Sequence, residues 1–105
     1  MVKLLKREDV NTEFNLYHLW MERRQMRATI KEFNKKYKSA VQLGKTHIHF
    51  YWSEYDYGNS ILSRKARSSG VGKAIRFISQ TYPITHKRER FYWEEVTFDI
   101  REEHS

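Results

Sequence analysis

The chain has 105 residues, no cysteine, and 20 Lys/Arg against 13 Asp/Glu, giving a formal net charge of +7. That length suits one domain spanning residues 1–105 with a single core. The missing cysteines exclude a disulfide framework, thiol catalysis and cysteine-ligated zinc.

The opening MVKLLKRED brings two adjacent leucines before charge returns. That is too little apolar sequence for a signal peptide, and with no run of membrane-spanning length it points to a cytoplasmic protein with no membrane partner. No glycine or proline then occurs from Asn11 to Leu43. Within that segment Leu16, Leu19, Met26, Ile30, Phe33, Tyr37 and Ala40 recur at helical spacing. Phe14, Tyr17, Met21 and Ala28 form a second stripe, so residues 14–41 are also candidates for a homodimer seam. A helix of about 30 residues is about 45 Å long, so it must project, break or pair. Thr29-Ile-Lys-Glu32 fits the capping-box pattern and marks the candidate break.

After Gly44 the period changes to two: Thr46, Ile48, Phe50 and Trp52 alternate with His47, His49, Tyr51 and Ser53, which predicts a strand. Asp56-Tyr57-Gly58-Asn59 is turn chemistry, and SILSRKARS is read as a returning strand. His47 and His49 project from one strand face, a spacing suited to a divalent metal. His47-Ile48-His49 resembles the HUH motif of rolling-circle replication and mobilisation nucleases. The resemblance implies a metal on the two histidines and a nucleophilic tyrosine, for which Tyr82 is the candidate; it covers three residues, and no third ligand accompanies them.

RKARSSGVGKAIRF, residues 64–77, raises the question of a phosphate loop. A Walker A loop is excluded, because Arg67 stands where its first glycine belongs and Ala74 where its hydroxyl belongs. The dinucleotide pattern fails after Gly70-Val71-Gly72. The remaining reading is a helix from about Gly70 to Thr81, capped by Ser68 or Ser69, with Val71, Ala74, Ile75, Ile78 and Tyr82 on its inner face. Its free N–H groups at Ser69, Gly70 and Gly72, ringed by Arg64, Lys65, Arg67, Lys73 and Arg76, would seat a backbone phosphate.

Pro83 stops that helix, and THKRER leads into a last strand, FYWEEVTFDI. A bulge at Glu94-Glu95 would turn Phe91 and Trp93 to the core side along with Val96, Phe98 and Ile100. Lys87, Arg88 and Arg90 beside Tyr92 place cations next to a stackable ring, as unpaired bases require. Tyr51, Tyr55 and Tyr57 are further stacking candidates.

These elements predict an α+β fold in which a long N-terminal helix, a strand or hairpin, a second helix and a final strand build a small sheet with both helices on one side. Charge is uneven, with +6 over residues 1–45, +5 over 46–90 and −4 over 91–105, which suggests that the acidic, flexible tail 101–105 competes for the basic surface. The function expected is non-enzymatic nucleic-acid binding, with RNA or single-stranded DNA before duplex, no cofactor and no catalytic residues. The alternative is an inhibitor or adaptor of the kind mobile elements carry, docking on an acidic protein surface. The third is the metal-dependent nuclease.

Overall fold

The computed structural model of the protein describes residues 13–58, 60–90 and 93–101. A first helix, α1 (Glu13–Gln42), is followed by β1 (His47–Ser53), a 3-10 turn (Glu54–Tyr57), α2 (Ile61–Ser79), β2 (Ile84–Glu89) and β3 (Trp93–Asp99). The expected α+β architecture is present, with both helices against one side of a three-stranded antiparallel sheet of order β1-β3-β2.

α1 neither breaks nor bends back at Thr29. The Thr29 hydroxyl is buried and donates to the Gln25 carbonyl one turn earlier, at 2.8 Å, rather than capping a new helix. The helix projects instead: the Cα radius of gyration is 17.3 Å and the longest axis 64 Å, against about 13 Å expected for the radius of a compact 100-residue domain. Gly44 ends it at φ +71°, with Lys45 N–H donating to the Ala40 carbonyl and Gly44 N–H to that of Val41, the paired bonds of a Schellman stop. Phe33 and Ala40 enter the core and Tyr37 packs beside them. Of the second stripe, Met21 is buried, while Tyr17 is exposed and stacks on Trp20; Leu16 and Leu19, expected on the core-facing stripe, are exposed because that stripe reaches the core only further along the helix.

Two expectations for the middle of the chain fail. SILSRKARS is helix, not strand, and α2 begins at Ile61 behind its N-cap Ser60, whose hydroxyl accepts from Ser63 N–H at 3.3 Å. Ser68, Ser69 and Gly70 therefore lie inside the helix, where no free N–H groups exist. The apolar stripe explains this, since Ala66 joins Val71, Ala74, Ile75 and Ile78 among the buried residues and extends the inner face back past the glycines. The glycine at 70 serves packing. A Cβ there would land on the Glu22 carbonyl oxygen and stand 3.0 Å from Gln25 Cβ, so only glycine lets α2 cross α1 this closely.

The sheet also departs from expectation. Residues 84–89 form an edge strand, so the hairpin is β2–β3 rather than one beginning at β1. Its sequence ITHKRE lacks alternation because five of its six residues are exposed, and an edge strand open on both faces needs no apolar side. The anticipated bulge at Glu94-Glu95 is absent: those residues pair regularly with Trp52 and Tyr51, and the irregularity falls between Ile84 and His86. Trp93 therefore keeps the parity of Glu95 and Thr97 and stays off the core side. Ile48, Phe50, Trp52, Val96, Phe98 and Ile100 fill the inner face. Phe33 anchors the helices to it, with ring centroids 5.4 Å from Phe98 and 6.1 Å from Phe50. Among the described residues, no helix is long and apolar enough to cross a membrane.

Candidate nucleic-acid interface

Because both helices pack on one face, the other face of the sheet is open, and its composition follows from strand parity. Residues directly opposite one another in an antiparallel pair share a face. Across the three strands the open face therefore reads His49, Thr97, His86 in one row and Tyr51, Glu95, Arg88 in the next. Tyr51 is 54% exposed, and its ring centroid lies 5.9 Å from that of Trp93 at an interplanar angle of 35°. Arg90, whose N–H donates to the Trp93 carbonyl, closes the hairpin end, where it lines a groove with Trp93, Glu94 and Ser68 of α2. His49 Nδ1 and Thr97 Oγ1 are 3.3 Å apart. Two adjacent rings thus sit on paired strands, on the face shared by Arg88, His49 and His86.

The far corner is electrically closed. Arg101 grips Asp99 with its Nε, Nη2 and backbone N–H, the shortest contact being 2.7 Å to Oδ2, and these bonds hold the Asp99 carboxyl well below the usual carboxylate range. The first residue of the acidic tail is consequently fixed to β3; residues 102–105 lie outside the described residues.

The residues singled out between 64 and 76 do not form one site. Arg64 lies over the Tyr55 ring, 5.2 Å from its centroid. Lys65 and Arg76 are exposed on α2, and Arg67 lines a groove against α1 with Trp20, Arg24 and Ala28. Ser69 and Lys73 both turn to Glu22 on α1, the serine hydroxyl donating at 3.0 Å and the lysine ammonium forming an ion pair. Burial raises the Glu22 pKa, but the bonds from Lys73 and Ser69 outweigh it, and the carboxyl is held below its ordinary value. Gly70 is buried and Gly72 lies mid-helix. Lys73 is therefore part of a helix–helix lock, and the phosphate seat at a helix start does not exist.

In the second cluster, Lys87 faces the other way from Arg88. It pairs with Glu89 at 2.9 Å and with Glu94 at 3.6 Å, and the bond to Glu89 raises its pKa. Tyr92 lies outside the described residues, as does Phe91. Tyr57 is half-buried against the core and pushed up to about 12 by burial and by Asp56, which removes it from the stacking candidates. Sequence alone puts His86 in the cation cluster beside the rings but turns Trp93 to the core side. The signal was parity, visible only once the β2–β3 register is known.

The nuclease arrangement is not assembled. His47 and His49 are exposed on β1, but among the described residues no group of three potential ligands surrounds them. Tyr82 packs on the helix side, with ring centroids 5.4 Å from Phe33 and 5.3 Å from Tyr37. The hydrogen bond to Tyr37, together with burial, raises its pKa, the wrong direction for a nucleophile. Comparison with family models, with curated proteins and with solved structures found no match to this chain.

Proposed function

We propose that the protein binds single-stranded nucleic acid, RNA or single-stranded DNA, across the open face of its sheet. The observation that carries this reading is the ring pair of the exposed Tyr51 and the part-buried Trp93, which shares that face with His49, His86 and Arg88. Unpaired bases present apolar faces that stack on such rings, while the phosphates between them are met by the arginines. The net charge of +7 supports the same polyanionic class of ligand.

Fluorescence anisotropy with labelled single-stranded oligonucleotides tests it. Tyr51→Ala should weaken binding by about 1–3 kcal/mol, the range for one stacked base, while Tyr51→Trp retains it. Arg88→Ala should lower the magnitude of the log–log salt slope by about 0.7, the share of one single-strand phosphate. Unchanged affinity in both alanine variants would sink the proposal. Co-purification of a stoichiometric protein partner in a salt-sensitive complex, with no binding of oligonucleotide, would favour the inhibitor or adaptor reading instead.

A further inference from the structure

A second cationic surface lies on the opposite side of the molecule. α1 buries Met21, Glu22, Thr29, Phe33 and Ala40, which fall on one side of the helix. Arg24, Arg27, Lys31, Lys35 and Lys38 follow one another at three- and four-residue intervals on the other side, and all five are exposed. From Arg24 to Lys38 the line is about 21 Å long at 1.5 Å per residue. Among the described residues none of the five has a carboxylate within ion-pair distance, and the buried Glu22 is already committed to Lys73.

We propose that this outer face of α1 binds the phosphate backbone of duplex nucleic acid. Three observations select a duplex over other polyanions. The cations are fixed on a straight, rigid helix, which suits a rigid ligand of high linear charge; B-DNA carries one phosphate per about 1.7 Å of axis. Between Arg23 and Ser39 the exposed residues include no apolar side chain larger than Ala28, so the face lacks the bulky groups that would enter a bilayer or an apolar protein groove. Its exposed rings, Trp20 and the Tyr17 stacked on it, lie at one end of the cation row, with the Arg24 guanidinium 5.3 Å from the Trp20 centroid, and no exposed ring lies between Arg24 and Lys38. A helix about 10–12 Å across also fits the major groove, which is about 12 Å wide.

The test uses a blunt DNA duplex about two helical turns long and the full chain carrying Arg24→Gln, Arg27→Gln, Lys31→Gln and Lys35→Gln together, since glutamine keeps the helix. The variant should bind the duplex at least about tenfold more weakly at low salt, with a salt slope smaller in magnitude by about 3.6 if all four cations contact phosphates, from roughly 0.9 per lost contact. Its melting temperature should stay near the parent's. Tyr51→Ala in the sheet should leave duplex affinity unchanged, so failure of the single-strand reading and failure of this one are read from different variants. Duplex affinity and slope equal to the parent's, or duplex binding lost in Tyr51→Ala instead, would overturn the proposal. So would phosphatidylserine vesicles that bind the parent while the duplex does not.

Discussion

Gly70 and Gly72 lie two residues apart in α2, and the same substitution should move stability in opposite directions. In a helix interior, alanine is favoured over glycine by roughly 0.5–1 kcal/mol, because glycine loses more backbone freedom on folding. At Gly72 nothing stands within 4 Å of an added Cβ. Gly72→Ala should realise that gain in full and raise the melting temperature by about 2–8 °C, taking 4–8 °C per kcal/mol for a domain of this size. At Gly70 the added Cβ meets the Glu22 carbonyl, a backbone atom in the middle of a 30-residue helix, which no rotamer change can relieve. α1 and α2 must separate, and overpacking of this kind costs about 1–3 kcal/mol or more. Separation also loosens Ser69 and Lys73 from Glu22. With the helix-propensity gain offsetting part of the cost, Gly70→Ala should be net destabilising by about 2 kcal/mol. Urea unfolding followed by far-ultraviolet circular dichroism measures both. If Gly70→Ala raises the midpoint as much as Gly72→Ala does, the close helix crossing is wrong.

The Glu22 lock makes Lys73 a stability residue. Lys73→Met should cost about 1–3 kcal/mol in urea unfolding, less than the 3–5 of a fully buried pair because the lysine side chain is 48% exposed; no loss would mean that the pair contributes nothing. Glu22 and Asp99 titrate below their ordinary values of 4.5 and 3.8, so the stability they contribute is complete above those pH values and is lost as pH falls through the lowered ones. Acid unfolding should therefore begin below about pH 4.5 and be blunted in Glu22→Gln, and an identical acid limb in the variant would count against the lock. Glu94 has the opposite sign, because burial raises its pKa more than Lys87 lowers it, so its charge opposes folding at neutral pH. Glu94→Gln should be slightly stabilising at pH 7 and neutral near pH 4, as a pair of melting curves would show.

Much of this fold was legible because the patterns are long. α1 carries its period over eight turns without glycine or proline, and β1 alternates as far as Trp52, so the inner face of β1 follows directly while the continuity of α1 past Thr29 did not. α2 was hidden by its own packing device: a glycine that permits a close crossing looks, in sequence, like the loop before a helix. β2 was hidden because an exposed edge strand has no buried side and hence no period. The site suffered most from this, since the open face is defined by cross-strand register. Arg88 and Tyr51 were found as types of residue, a cation and a ring, but that they share a row with Glu95 between them is a property of three paired strands. The RKARSSGVGKAIRF cluster failed for the converse reason. Its cations are adjacent in sequence, and a continuous helix sends them to different places: Arg64 to Tyr55, Arg67 to the α1 groove and Lys73 to Glu22.

The two proposed surfaces are back to back, and that arrangement has its own consequence. The sheet residues proposed to contact ligand lie on its open face and the α1 cations lie opposite that helix's buried side, although Tyr51 at the β1 edge lines one groove with Ala28 and Glu32 of α1. Lys36 is the nearest link, donating to the His49 carbonyl at 3.2 Å, and it belongs to neither surface's proposed contacts. Substitutions at separate sites with no shared partner add to within about 0.3–0.5 kcal/mol. Combining Tyr51→Ala with the four α1 glutamines should therefore reduce single-strand and duplex affinity each by the amount its own surface dictates. With both surfaces intact, a bead-bound single strand should capture a labelled duplex through the protein, and either set of substitutions alone should abolish capture. Capture that survives loss of one surface, or single-strand affinity that falls when only α1 is altered, would mean that one continuous surface serves both ligands and that the two-sided arrangement is wrong.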